Sequence, residues 1–235
     1  MTTKRLIWSF FNWKISVQIP FLIFACFALI VCCILSNWQW QRAQQADALY
    51  QDFQLQESRP ESVLSQSPEA YQKVSIAGKV KSHYFLDNKT NQGHGGWHVL
   101  AEVETTHFLV LVNLGWQPKQ NKLVLQENLP DYLEVQGLIR QPQAGFMLQA
   151  AELDPNWPKL MQQIEIPLLN KRLKQELFPF VLYAENQIGK LIPAPIKLEN
   201  KYYMHIGYAI QWLLIGLAGL ICFIVVSRSE YKENE

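Results

Sequence analysis

Between Cys33 and Cys222 the chain contains no cysteine. All four cysteines, Cys26, Cys32, Cys33 and Cys222, fall in strongly apolar stretches of the 235-residue sequence. The long middle of the chain is therefore neither a disulfide scaffold nor a thiolate metal centre. Adjacent Cys32 and Cys33 read as small apolar filler in preference to a redox or copper pair. An excess of charge is missing too: the formal net charge is +1 and no basic cluster stands out, which argues against a nucleic-acid surface. There is no Gly-x-Ser-x-Gly elbow, no exported cysteine and no glycine-rich phosphate loop, so a conventional hydrolase or nucleotide-using enzyme is not indicated and the chain is read as a non-enzyme. Paired carboxylates stay open, but Asp87, Glu102, Glu104, Asp131 and Asp154 are scattered in the ordinary manner of a surface.

Charge is also absent from two long stretches. Ile206 to Ser227 holds no Asp, Glu, Lys, Arg or second His, and the run after Lys14 stays uncharged to Gln41. Each is long enough to cross a bilayer core of about 30 Å. Pro20 lies in the first turn of the earlier run, where a missing N–H costs little. A cleaved signal needs small residues at its exit, whereas this run leaves through Asn37-Trp38-Gln39-Trp40, so an uncleaved anchor is expected. Lys4, Arg5 and Lys14 on the leading flank assign that end to the cytoplasm. The chain then divides into an N-terminal flank at 1–14, a transmembrane helix at 15–37, an outer domain at 38–203 and a second transmembrane helix at 204–227. A cytoplasmic tail at 228–235 completes it. Trp8 and Trp13 on one side, and Trp38, Trp40, Tyr202 and Tyr203 on the other, stand where interfacial aromatic belts belong.

The outer domain, about 160 residues, is large enough for a core of its own. Its first part, 38–58, is rich in Gln, Ala and Leu and predicts a helical extension stopped by Arg59-Pro60. Tyr71 to Gly78 alternates at period two, and Trp97 to Val103, Phe108 to Asn113, Leu133 to Arg140 and Phe180 to Ala184 are further strand-like runs. Glu104 to His107 reads as a hairpin connection. Ile166 to Phe178 has helical spacing at Leu169, Leu173 and Leu177 and is expected to pack on the sheet. The fold class is thus two transmembrane α-helices flanking an α+β domain built on a small antiparallel sheet or barrel.

Three constellations bear on chemistry. His205 stands at the mouth of the second apolar run, with Tyr208, Ala209 and Trp212 at i+3, i+4 and i+7, so one helix face carries a ligand-type imidazole and two aromatics. That face suits a flat metallocofactor lying partly in lipid. Trp38 and Arg42 are one helical turn apart at the outer mouth of the first run, where a guanidinium above an aromatic can bind carboxylates; an interfacial Trp anchor with a snorkelling Arg is the plainer reading. His94, His98 and His107 invite a metal hypothesis, but no Cys or closely spaced acid completes a shell, and turn or surface histidines are the plainer account.

Together these blocks resemble the surfeit locus protein 1 family of cytochrome c oxidase assembly factors, over nearly the whole length. The carriers are Trp38-Gln39-x-x-Arg42, Tyr71 to Gly78, Gly93-His94-Gly95-Gly96-Trp97-His98-Val99 and Leu111-Val112-Asn113-Leu114-Gly115-Trp116. Val135-Gln136-Gly137-Leu138-Ile139-Arg140 and His205-x-x-Tyr208-Ala209-x-Gln211-Trp212 continue them, the last being the most specific. Leu114 stands where the family usually has Arg, Ala46 where it has Lys and Leu213 where it has an aromatic, which marks a divergent bacterial member. The resemblance implies an inner-membrane protein whose 38–203 domain is periplasmic. It also implies a cargo, haem a, delivered to subunit I of the haem–copper oxidase, with haem a synthase as a further partner. On that basis His205 is the candidate axial ligand of the haem iron, Tyr208 and Trp212 are pocket walls, and Arg42 over Trp38 is a propionate partner. A scaffold that binds the oxidase without touching haem, and a copper-handling domain using His94 and His98, are the competing expectations.

Overall fold

The computed structural model describes residues 5–10, 13–143 and 160–229, with side chains at 17–143 and 160–227. Lys4 and the tail beyond Ser229 lie outside the described residues. In chain order the elements are β1 (Arg5–Phe10), β2 (Trp13–Gln18), α1 (Ile19–Ser58), β3 (Ser62–Val63), β4 (Lys73–Asn91), β5 (His94–Glu104) and β6 (Leu109–Pro118). There follow β7 (Tyr132–Arg140), β8 (Leu160–Met161), α2 (Ile166–Leu173), β9 (Leu177–Ala184), α3 (Tyr202–Ser227) and β10 (Arg228–Ser229). They fall into two compact units, Met1–Gln51 with Glu199–Glu235, and Asp52–Leu198.

The first unit is built on α1 and α3. α1 has no glycine and its one proline, Pro20, sits in the first turn, so nothing interrupts its ladder until Arg59 and Pro60 follow its end. Both helices are long and apolar enough to cross a membrane, and most of their apolar surface is exposed. Phe24, Phe27, Ile30, Leu214, Leu217 and Val225 each leave more than half of their surface exposed. The helices run antiparallel, as their contacts require: Asp47 meets Asn200, Gln39 meets His205, Ser36 meets Ala209 and Phe21 stacks on Phe223. Gly216 permits the closest approach, since a Cβ there would lie 3.2 Å from Cβ of Cys32 and 3.3 Å from Leu29. The start of α3 is fixed twice. Asn200 accepts a bond from the Tyr202 N–H at 2.9 Å, satisfying one orphan donor, and its amide donates to Asp47 at 3.1 Å. β1 pairs antiparallel with β2, and β10, which follows the end of α3, adds two residues to β2. Residues 15–18, which the sequence assigns to the first transmembrane helix, belong instead to β2; α1 begins only at Ile19.

The second unit is a seven-stranded mixed sheet in the order β3-β4-β5-β6-β9-β7, with β8 pairing β4. The nineteen residues of β4 serve two neighbours: Lys73 to Lys79 pair with β7 and Lys79 to Asn91 with β5, so the pairing path returns to β4. The sequence predicts an antiparallel sheet, and this is corrected: β3–β4, β4–β8 and β6–β9 are parallel. The reason lies in the connection to β9, which arrives by a long crossover through α2 and not by a hairpin. Gly137 is required where β7 crosses β9, because a Cβ there would collide with the Tyr183 carbonyl.

Both faces of the central strands are covered. Trp97, Val99, Ala101 and Val103 of β5 join Val74, Phe85, Val112 and Leu182 in one core, while Leu100 joins Tyr84, Leu111 and Val181 in a second beneath α2. α2 packs on the sheet as its spacing predicts, through Ile166 and Leu169, but it is shorter than the predicted segment. Lys174 adopts φ 54, Asn170 accepts a bond from the Leu177 N–H at 2.9 Å, and Leu177 and Phe178 belong to β9. Glu102 is a second correction, being buried beside the Tyr84 hydroxyl, to which it is hydrogen-bonded, instead of lying on the surface.

Candidate functional site

His205 lies in the first turn of α3, half-buried against α1. Its Nδ1 is 2.8 Å from Oε1 of Gln39. An amide oxygen can only accept, so Nδ1 is the donor of this bond, and Nε2 is the ring nitrogen that the bond leaves unused. A metal-binding histidine commonly uses its second nitrogen in this way, donating to an acceptor that fixes the tautomer and the ring plane. One turn further along, the Ser36 hydroxyl donates to the Ala209 carbonyl at 2.9 Å, and Ala209 is 3 % exposed beneath it. Gln39 and Ser36 therefore set the rotation of α3 about its own axis, and with it the direction of the imidazole.

The other predicted residues take up different positions around this pair. The Arg42 guanidinium stands 5.7 Å from the centroid of the Trp38 ring and donates one bond to Gln45 at 3.3 Å. Both Trp38 and Arg42 are exposed, so most guanidinium donors face outward. With a rise of 1.5 Å per residue, Arg42 lies about 4.5 Å from Gln39 toward Ser58, and Tyr208 and Trp212 lie about 4.5 Å and 10.5 Å from His205 toward Ser227. The order along the antiparallel pair is thus cation, imidazole, then aromatics. The sequence places Tyr208 and Ala209 on one face with His205, but the structure separates them: Ala209 is covered by α1, whereas Tyr208 is 47 % exposed. Trp212 is half-buried.

Gln39 and Ser36 are site residues that sequence reasoning missed as partners. Both are polar and three residues apart on α1, but Asn37 and Gln41 beside them are polar as well, so nothing in the sequence singles the pair out.

The histidines of the sheet are held apart. His94 is exposed beside the turn joining β4 and β5, and His107 is exposed in the turn after β5, so the length of that strand separates them. His98, between them, has Nδ1 2.9 Å from the Asn113 amide nitrogen, which donates to it. That bond puts the ring proton on Nε2 and leaves neither nitrogen with a spare lone pair. Burial, helped by the charge of Lys89, lowers the His98 pKa from 6.5 to about 4, so the ring stays neutral. Among the described residues no group of three or more His, Cys, Asp or Glu gathers to hold a metal ion. Cys26, Cys33 and Cys222 are exposed on the apolar helices, and Cys32 is buried against Gly216.

A model of the SURF1 family matches residues 26–217, from within α1 to within α3, and the chain belongs to that family. No curated protein matches it. The SURF1 family is linked to cytochrome oxidase assembly and is a family of assembly factors, not a known enzyme class. With two helices able to cross a membrane, the chain is consistent with a membrane-anchored member.

Proposed function

We propose that this chain binds haem a through His205 and aids its insertion into subunit I of haem–copper cytochrome c oxidase. The observation that carries the reading is the Gln39–His205 bond, which engages Nδ1 and leaves Nε2 as the nitrogen to ligate iron at the mouth of an apolar helix pair. The surroundings fit such a cargo. Arg42 offers free guanidinium donors for carboxylates one level above the imidazole, and exposed Tyr208 and half-buried Trp212 give apolar walls one level below. Haem a itself brings the iron that accepts the imidazole and an isoprenoid tail that favours lipid. Gln39 orients the ring, Ser36 and Gly216 hold α3 in register, and the bonds of His205 are reversible, as delivery requires. No covalent step is involved.

The proposal extends to place and partners. The chain is an inner-membrane protein of a bacterium, with both ends cytoplasmic and the 38–203 domain periplasmic, supported by Arg5 and Lys14 on the leading flank. Subunit I receives the haem, and haem a synthase is the natural donor. Leu114 occupies the position of the family's usual central Arg, so no role is assigned there.

The test is haem a per protein, read from the Soret band of detergent-purified wild type and His205→Ala made with haem a biosynthesis intact. Wild type should hold haem and the variant should lose most of it while still inserting into the membrane. Haem-free wild type would favour a scaffold that never touches the cofactor. Equal occupancy in both would remove His205 as the ligand.

A further inference from the structure

The seam between α1 and α3 continues past the proposed site toward Ser227 and comes apart once. On α3, Ala209 and Gly216 are buried and Trp212 between them is half-buried, and contact resumes where Phe223 stacks on Phe21 with ring centroids 5.3 Å apart. Between these contacts, Gly219 and Leu220 are exposed. A cavity of about 410 Å³ occupies the gap. Its cause is residue size: Ala25 and Ala28 of α1 and Gly219 of α3 line it. A Cβ added at Gly219 would meet nothing within 4 Å, whereas one added at Gly216 would press on Cys32 at 3.2 Å. The two glycines look alike in sequence and differ in role.

Chemistry and position describe what fits the cavity. No charged side chain lines it, so it takes hydrocarbon. Gly219 stands two heptads from His205, with Trp212 midway, which puts all three on one stripe of α3. The cavity is thus continuous with the face that carries the imidazole. At 1.5 Å per residue Gly219 lies about 21 Å from His205, beyond the edge of a porphyrin ring held there and within reach of a long tail hanging from that ring. Toward His205 the cavity is bounded by Gly216 and Cys32, which leave little bulk in the way, while the Phe21–Phe223 stack walls the far end. We propose that this cavity seats the isoprenoid tail of the haem a cargo, so that the protein selects tailed haems over tail-less ones. The inference rests on the haem reading above and gives that site its substrate specificity. An isoprenoid chain is stiffened by its double bonds and loses less rotational freedom in a groove than a saturated acyl chain does. That favours the cargo over bulk lipid.

The test titrates full-length apoprotein in phospholipid nanodiscs with haem o and haem b, which differ only in the tail: haem o carries it and haem b has a vinyl group in its place. Soret absorbance reads the binding. Wild type should bind haem o about tenfold or more tightly than haem b, the contribution of a chain packed along its length. Gly219→Phe fills the cavity from α3 and should lower haem o affinity to that of haem b, leaving haem b unchanged; Ala25→Leu should act likewise from α1. Leu217→Phe, at nearly the same depth but exposed outside the cavity, should keep the preference. Equal affinity of wild type for the two haems, with both lost in His205→Ala, would overturn the tail seat and leave the ligand assignment standing. Binding of neither haem by wild type would sink both. A preference that survives Gly219→Phe and Ala25→Leu would put the tail elsewhere, and equal loss of both haems in the two variants would mean that the cavity supports the helix pair and not the tail. A phospholipid still bound to wild type after haem o is added, seen by native mass spectrometry, would make the cavity a lipid site. Each of these three results overturns the proposal.

Discussion

Replacing Gln39 by leucine should separate ligand from orienting partner in the proposed site. The variant keeps the size of residue 39 and the apolar character of α1 but removes the acceptor 2.8 Å from Nδ1 of His205. As a single bond between two helices, the contact contributes about 0.5–1.5 kcal/mol to their association, and nearer the lower end in a membrane. Helix packing should survive, because Ser36 still bonds Ala209 and Gly216 still seats against Cys32. The larger loss is in ligation. An imidazole without its partner rotates and samples both tautomers, and loss of such a partner typically lowers metal affinity by about 10–100-fold, or roughly 1.4–2.7 kcal/mol. Titration of purified apoprotein with haem a in detergent measures this directly, for wild type, Gln39→Leu, His205→Ala and the double variant. Gln39→Glu supplies a stronger acceptor and should restore affinity while making the ligand more basic. In the double-mutant cycle the Gln39→Leu effect should vanish once His205 is alanine, because the glutamine acts only through the imidazole. Equal affinities for wild type and Gln39→Leu, or an undiminished Gln39→Leu effect in the His205→Ala background, would refute the reasoning.

Arg42→Ala should lower haem a retention several-fold, about 1 kcal/mol or more, with Arg42→Lys intermediate because it keeps the charge and loses the fork; equal Soret occupancy in all three would leave Arg42 as an interfacial anchor. His98 is protonated in the unfolded chain below about pH 6.5 but in the folded protein only below about 4, so its contribution is complete above 6.5 and is lost as pH falls toward 4, by up to about 3 kcal/mol. Melts of wild type and His98→Gln at about pH 7, 5.5 and 4 should show a shallower acid loss in the variant, and parallel curves would contradict the assignment. Gly216→Leu should push α3 off Cys32 and Leu29 and destabilise the helix pair by about 1–3 kcal/mol, seen as a lower melting temperature in detergent; an unchanged melt would mean the helices do not pack as described.

The helices were readable in the sequence because absence of charge over a bilayer's length is a local property, and so was the helical tail that runs to Ser58 ahead of Arg59 and Pro60. The strand at Tyr71 to Gly78 was readable by its period-two alternation, and those at Trp97, Leu133 and Phe180 as short apolar runs, both local properties of the segment itself. Pairing is not local. Nothing within Leu177–Ala184 says that it lies parallel to β6 and antiparallel to β7, and the crossover through α2 that decides it spans dozens of residues. Leu177 fits the α2 period as well as it fits a strand, and only the left-handed turn at Lys174 separates the two readings. The site divides along the same line. His205 was readable because an imidazole at the edge of a charge-free run is conspicuous by itself. Gln39 was not, because its meaning depends on the rotation of one helix against another 166 positions away, and that phase is set by Ser36, Ala209 and Gly216 together. An amide that never titrates gives no pKa signal and no motif of its own, yet it decides which nitrogen of His205 is free. A polar residue on the small-residue face of an apolar helix is therefore the feature to look for in such chains, because in lipid its hydrogen bond has few partners other than the facing helix.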